Sequence, residues 1–134
     1  MKKYNYEQLV ASGYKIENAL IKNVDLSMAD HGCFTLAMTL DGGGWGVVYG
    51  GYCLGKGYLG ADDDFFGGSA AGIEYIMRIM DTVGVEKLQD LKGKYVRVAT
   101  KGWGDSVKII GNILKDKWFD AETFFIDKRE NEQC

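Results

Sequence analysis

The stretch CFTLAMTLDGGGWGVVYGGY, residues 33–52, decides the fold because it encodes a complete β-hairpin. Apolar and polar side chains alternate over residues 33–40, as they do in a strand with one buried face. The face expected to be buried carries Phe34, Leu36, Met38 and Leu40. The three glycines at 42–44 predict the hairpin loop, and residues 45–52 predict the returning strand.

The flanking segments extend this hairpin into a larger sheet. Residues 18–28 predict a preceding strand, which the turn Asp30-His31-Gly32 joins to the hairpin. Residues 94–100 and 106–113 predict a second hairpin around a turn at 101–105. The three segments before the loop at 55–68 therefore form an antiparallel meander, and two more strands follow later in the chain.

Helix signals are fewer than strand signals. Ser69 is expected to cap a helix that ends at Gly84, and residues 6–12 predict a short N-terminal helix. A helical turn is expected near residues 86–90, and a partial helix over residues 118–125. The order β-β-β-α-β-β predicts an α+β fold, with one main helix packed on one face of a mostly antiparallel sheet.

Composition narrows the class of protein. A chain of 134 residues predicts one domain, and a net charge of −3 argues against binding to duplex nucleic acid or anionic membranes. The three cysteines lack a CxxC spacing, which argues against a zinc site and against a disulfide framework. No apolar run has membrane-spanning length and no signal-peptide pattern follows Met1, so we expect a cytoplasmic protein.

Motifs for catalysis or cofactor binding are weak. Residues 50–57 nearly match a P-loop, but Gly57 stands where a Mg²⁺-binding hydroxyl is needed. Residues 55–60 match GxGxxG without the strand-loop-helix context of a dinucleotide site. The acidic run at 62–64 is typical of a solvated loop, and His31 is the single histidine. We therefore expect no cofactor, no metal site and no enzymatic activity.

A binding signal remains in the glycine-rich segment. Residues 41–60 contain nine of the nineteen glycines, and the predicted strand places Gly46, Val48, Gly50 and Tyr52 on one face. Small residues beside a tyrosine leave a flat trough that a planar ring can enter by stacking. The alternative is that the glycines bend the strand and the aromatic rings fill the core.

Cations and a helix start suggest that the ligand is an anion. The N-terminus of the helix at Ser69 favours negative charge. Cations are expected from Lys56, Arg97 and Lys101. The full set of predicted ligand-binding residues is His31, Tyr49, Tyr52, Lys56, Phe65, Phe66, Ser69, Arg97, Lys101 and Trp103.

Several short motifs resemble a widespread family of small tailed-phage proteins. They are Ile16-Glu17-Asn18-Ala19, Asp30-His31-Gly32, Gly50-Gly51-Tyr52, Val83-Gly84-Val85 and Leu91-Lys92-Gly93-Lys94. The resemblance covers roughly residues 16–119, which makes 1–15 an N-terminal extension and 120–134 a C-terminal tail of the single domain. Members often carry Gln-Gly-Phe where this chain has Val47-Val48-Tyr49, which leaves the polarity of the site open.

The resemblance implies a role that the residue chemistry alone does not. The family includes proteins that sequester the cyclic nucleotide signals of bacterial CBASS immunity without cleaving them. By this resemblance, the protein is a nucleotide sponge in the infected host cell, with His31 and Tyr52 among the best-matched positions. One small trough rarely gives the tight binding a sponge needs, so we expect the site to be completed by a second subunit of a homo-oligomer or closed by the glycine-rich loop at 55–68. The alternatives are an inhibitor that binds a host defence or regulatory protein, as anti-CRISPR proteins do, and an enzyme that acts on nucleotides.

Overall fold

The computed structural model describes residues 3–102 and 106–132, which form an α+β fold, as the sequence predicts. The helices are α1 (Tyr6–Ala11), α2 (Ala70–Val83) and α3 (Ala121–Glu132). The strands are β1 (Lys15–Asp30), β2 (Cys33–Asp41), β3 (Gly46–Gly50), β4 (Gly55–Lys56), β5 (Gly67–Gly68), β6 (Tyr95–Thr100), β7 (Ile109–Asn112) and β8 (Trp118–Asp120). Short 3-10 turns lie at Asp63–Phe65 and Leu88–Leu91.

Within the described residues, the strands form one antiparallel, curled sheet in the order β5-β4-β2-β1-β6-β7-β8. Strand β3 also pairs with β2, so β2 has β3 beside one half and β4 beside the other. The long β1 pairs with β2 through one half and with β6 through the other. This long strand therefore joins the two hairpins that the alternation pattern predicts.

The two faces of the sheet are covered by different helices. Val98 and Ile110 point to the main core, which also contains Tyr75 of α2 and Phe124 of α3. Their neighbours Ala99 and Ile109 point to the opposite face and pack with Leu9 of α1. Because side chains alternate along a strand, β6 and β7 separate these two clusters.

Helix α2 begins and ends where the sequence predicts. Ser69 is the N-cap, and its side chain accepts a hydrogen bond from the backbone N–H of Gly72. Gly84 ends the helix with φ +93°, a left-handed conformation that suits glycine. The sequence also predicts one apolar stripe on this helix, formed by Ile73, Ile76, Met77, Met80 and Val83. That prediction is only partly right, because Ile73 and Met77 are 59 % and 61 % exposed. The residues of α2 that are buried are Gly72, Tyr75, Ile79 and Thr82.

The sequence prediction misses parts of the sheet and the last helix. The segment at 55–68, expected to be a loop, contains β4 and β5, and the C-terminal segment contains β8 and the twelve-residue α3. Strand β3 ends at Gly50, two residues earlier than predicted, because Gly50 and Gly51 have φ of +108° and +84°. These two left-handed residues interrupt the alternation, so Tyr52 packs against the main core and not beside the exposed Val48.

Replacing Gly50 by alanine should destabilise the protein more than replacing Gly51. A Cβ at Gly50 would collide with the backbone oxygen of Leu36 and lie 2.9 Å from the hydroxyl of Tyr75. A Cβ at Gly51 would have nothing within 4 Å, although its φ is also positive. We expect G51A to lower the free energy of unfolding by about 1–2 kcal/mol and G50A by roughly 2–5 kcal/mol, measured by urea denaturation. Equal losses for the two variants would contradict this packing.

Candidate functional site

A cleft of about 380 Å³ lies where the segment between β3 and β4, the start of α2 and helix α3 meet. It is lined by Tyr52, Cys53, Ser69, Ala71, Glu122, Phe125, Lys128 and Arg129. The segment between β3 and β4 therefore supplies an aromatic ring and a thiol. Helix α2 supplies its N-terminus, and α3 supplies one further ring and three charged side chains.

Two stacked rings form the apolar wall of the cleft. The ring centroids of Tyr52 and Phe125 are 4.9 Å apart, with an angle of 29° between the ring planes. Burial raises the pKa of the Tyr52 phenol, and the carboxylates of Glu122 and Asp120 raise it further. Tyr52 therefore stays protonated at neutral pH and keeps a hydroxyl group near the charged side of the cleft.

The start of α2 forms a second wall. The Ser69 hydroxyl accepts a hydrogen bond from the Gly72 N–H at 2.9 Å and donates one to the Leu54 carbonyl at 3.1 Å. Gly72 is required here because a Cβ would come within 2.8 Å of the Leu54 side chain. The hydroxyl of Ser69 is thus engaged in positioning the helix, while the N-terminal end of the helix dipole faces the cleft and favours an anion.

Charged side chains of α3 form the rim. Lys128 and Arg129 supply two positive charges against the one carboxylate of Glu122. Lys128 also pairs with Glu74 of α2 at 2.7 Å, and Glu122 pairs with Lys108 at 2.6 Å. The hydrogen bond from Lys128 lowers the pKa of Glu74, and Arg78 on the same helix also lowers it. Arg129 is exposed, so its guanidinium lies at the solvent side of the rim.

Of the predicted ligand-binding residues that the structure describes, two lie in this cleft, Tyr52 and Ser69. Four others group elsewhere, around the turn between β1 and β2. The Phe65 ring lies against Gly32 of this turn, and the Phe66 ring lies over Gly57, beside Lys56. His31 occupies the turn itself with φ +49° and is exposed. The segment at 55–68 therefore packs on the β1–β2 turn, away from the residues that line the cleft.

The structure places two other predicted residues, Tyr49 and Arg97, where they serve the fold. Tyr49 is fully buried, and its hydroxyl donates a hydrogen bond to the Lys108 carbonyl at 3.2 Å. Arg97 lies on the α1 face of the sheet, where its guanidinium donates to the carbonyls of Asn112 and Lys115, both at 2.8 Å. The same guanidinium stacks 4.4 Å from the Trp118 ring. The expectation that Arg97 shares a site with Tyr52 is therefore wrong.

Lys101 lies apart from the cleft, and Trp103 lies outside the described part of the chain. The Lys101 ammonium lies 4.9 Å from the Tyr14 ring, at a second, more polar cleft of about 310 Å³. That cleft is also lined by Ala99 and Ile109, which belong to the α1 face of the sheet. Trp103 lies outside the described residues, so its predicted role stays a prediction.

Besides Cys53 and Ala71, the lining residues that the sequence did not predict come from α3. They are Glu122, Phe125, Lys128 and Arg129. A start signal for this helix was present, because Asp120 accepts a hydrogen bond from the Thr123 N–H at 3.1 Å, as N-cap residues do. The Asp-Ala-Glu-Thr sequence at 120–123 would have indicated a helix start and extended the C-terminal helix past Phe125.

Among residues 3–102 and 106–132, no group of three histidine, cysteine, aspartate or glutamate side chains is arranged to hold a metal ion. In the same residues, none of the helices is both long enough and apolar enough to span a bilayer.

The chain matches no protein-family model, no curated protein and no solved structure.

Alkaline pH should weaken the fold through the partly buried Tyr4. Burial and a hydrogen bond to Asp120 raise the pKa of Tyr4 to about 12, while a tyrosine in the unfolded chain titrates near 10. The folded chain then binds the proton more tightly, so this contribution to stability is complete below about pH 10 and is lost as pH rises towards about 12.

The measurement compares wild type with Tyr4→Phe by urea denaturation from pH 7 to pH 11.5. We expect the variant to be less stable at pH 7, because Asp120 loses a hydrogen bond, and to lose less stability between pH 10 and pH 11.5. Parallel stability curves for the two proteins would contradict this assignment of Tyr4.

Proposed function

We propose that the protein binds a cyclic di- or oligonucleotide at the cleft beside Tyr52 and sequesters it without cleavage. In this proposal it is a phage protein that counteracts CBASS defence in the infected cell. The observation that carries the proposal is the combination in one cleft of stacked rings, a helix N-terminus and two cationic side chains. The motifs shared with the phage family supply the biological context.

The parts of the cleft match the parts of a nucleotide. A base would stack against the rings of Tyr52 and Phe125, since aromatic rings stack on every base. A phosphate would lie at the start of α2, where the helix dipole favours negative charge, within reach of Arg129. The engagement of Glu122 with Lys108 and of Lys128 with Glu74 supports binding over acid–base catalysis.

The small volume of the cleft supports a second subunit that completes the binding site. The cleft volume of about 380 Å³ is near the lower end of ligand pockets, which span roughly 300–1,000 Å³. A sponge must compete with a receptor, and nanomolar binding corresponds to about −12 kcal/mol. In this proposal, one half of a cyclic dinucleotide occupies the cleft and a second copy of the chain covers the other half.

The test is calorimetric titration with cyclic di-GMP, cyclic di-AMP and 3′,3′-cyclic GMP-AMP, with linear pGpG for comparison. We expect at least one cyclic dinucleotide to bind, because its bases and phosphates match the rings and cations of the cleft. Alkylation of Cys53 by iodoacetamide should slow when that ligand is bound, since this exposed thiol lines the cleft. Cys33 serves as the internal control, because it lies on β2 outside the residues that line the cleft.

A matched pair of variants tests the position of the site. Arg129→Ala should weaken binding about five- to tenfold through the loss of a charged hydrogen bond. Lys92→Ala removes the same charge from a residue outside the lining set and should leave the affinity unchanged. If no cyclic dinucleotide produces heat or protects Cys53, the proposed function is wrong.

A second candidate is an inhibitor that binds a host protein. It is favoured by the exposure of Ile73 and Met77, which lie on successive turns of α2. Neighbouring apolar side chains outside the core are typical of a protein-binding surface. The protein would then bind its partner through this face of α2 without any need for the cleft.

Capture from lysate of the bacterial host, with Met77→Glu as the comparison, separates the two candidates. For a sponge, Met77→Glu should leave cyclic dinucleotide binding unchanged, because Met77 does not line the cleft. If the protein is an inhibitor, the wild type should capture a stoichiometric partner. The Met77→Glu variant should not capture it, because the substitution places a charge in the apolar interface.

A further inference from the structure

The hydroxyl of Tyr75 is a buried polar group without a hydrogen bond in the part of the chain that the structure describes. The side chain is 0 % exposed, and its oxygen has no partner among residues 3–102 and 106–132. Leaving a buried hydroxyl unpaired is costly, so most such groups in proteins have partners. Phenylalanine would fill the same space without this cost, and the presence of a hydroxyl therefore calls for a physical reason.

The position of Tyr75 indicates what that reason is. Its ring contacts Tyr52 at 5.7 Å between centroids and Phe125 at 5.2 Å, and both of these rings line the cleft. The pKa of Tyr75 is raised first by burial and then by the nearby Tyr52 phenol. Tyr75 thus lies directly behind the aromatic wall of the cleft.

The backbone beside this wall has room for the hydroxyl. A Cβ at Gly50 would lie 2.9 Å from the Tyr75 oxygen, so the missing side chain leaves the space that the hydroxyl occupies. Gly50 and Gly51 both have positive φ and directly precede Tyr52. Tyr52 itself is only partly buried, and partly exposed side chains change rotamer readily.

We propose that the rings of Tyr52 and Phe125, whose centroids are 4.9 Å apart, separate to admit a planar ligand between them, and that the Tyr75 hydroxyl then donates a hydrogen bond to an acceptor on that ligand. The inference rests on the proposed function and names the group that recognises the base. A ring carbonyl or ring nitrogen of a nucleobase has the required chemistry, since each accepts a hydrogen bond in the plane of the ring. A flat apolar ring without an acceptor would leave the hydroxyl unpaired.

The test compares Tyr75→Phe with Tyr49→Phe, a second fully buried tyrosine in the same core. The Tyr49 hydroxyl has a partner, the carbonyl of Lys108, so Tyr49→Phe should lower the Tm of the ligand-free protein. Tyr75→Phe should raise the Tm by roughly 2–5 °C, because it removes an unpaired buried group. A fall in the Tm of Tyr75→Phe would show that its hydroxyl is already satisfied and would overturn the inference.

Binding of the tightest cyclic dinucleotide from the panel provides the second measurement. We expect Tyr75→Phe to bind this probe about tenfold more weakly than wild type, through the loss of one hydrogen bond, and Tyr49→Phe to bind it normally. If wild type binds the probe and Tyr75→Phe binds it equally well, the inference fails while the proposed function stands. If wild type binds none of the cyclic dinucleotides, both fail.

Discussion

The packing of Tyr75 against three other rings is the contact on which the architecture depends. Tyr75 of α2 contacts Tyr52, Phe119 and Phe125, which come from the segment after β3, from β8 and from α3. One side chain thus joins both long helices to the sheet. Because Phe119 and Phe124 also pack edge to face, the aromatic rings hold α3 against the same core. The cleft is the place where this aromatic layer reaches the surface.

Gly50 allows this packing to occur. Its lack of a side chain lets the backbone approach Leu36 of β2 and gives space to the Tyr75 hydroxyl. The positive φ values of Gly50 and Gly51 then turn Tyr52 into the core. The glycine-rich segment thus serves backbone geometry at these positions, and a concave surface forms beside it. The bent-strand reading of the glycines therefore holds at these positions, and the ligand trough stays a prediction.

The sequence predicts those features of the fold that arise from local patterns. Alternation in β2, the Ser69 cap and the left-handed Gly84 all depend on neighbouring residues, and all three appear in the structure. Two-residue strands such as β4 carry too little pattern to be recognised, and β8 is short and runs directly into α3. The site was harder to predict because it depends on tertiary packing. Arg97 shows this, since its role follows from carbonyl groups fifteen or more positions away along the chain.

The charges around the cleft come from α3, the helix whose extent the sequence predicts least well. Lys128 and Arg129 reach the rim only because Phe124 and Phe125 anchor that helix to the core. Lys101, which the sequence favoured as a phosphate ligand, lies at the other cleft beside Tyr14. The two clefts therefore differ in character: one combines stacked rings with cations, and the other is mostly polar with Asp120 among its lining residues.

The most direct test of the central claim is to map the ligand by NMR chemical-shift perturbation with a cyclic dinucleotide. The account predicts the largest backbone amide shifts at residues 69–72, at the start of α2, and at residues 122–129 of α3. Shifts concentrated instead around Tyr14 and Lys101, or at the turn that contains His31, would place the ligand elsewhere and contradict the account.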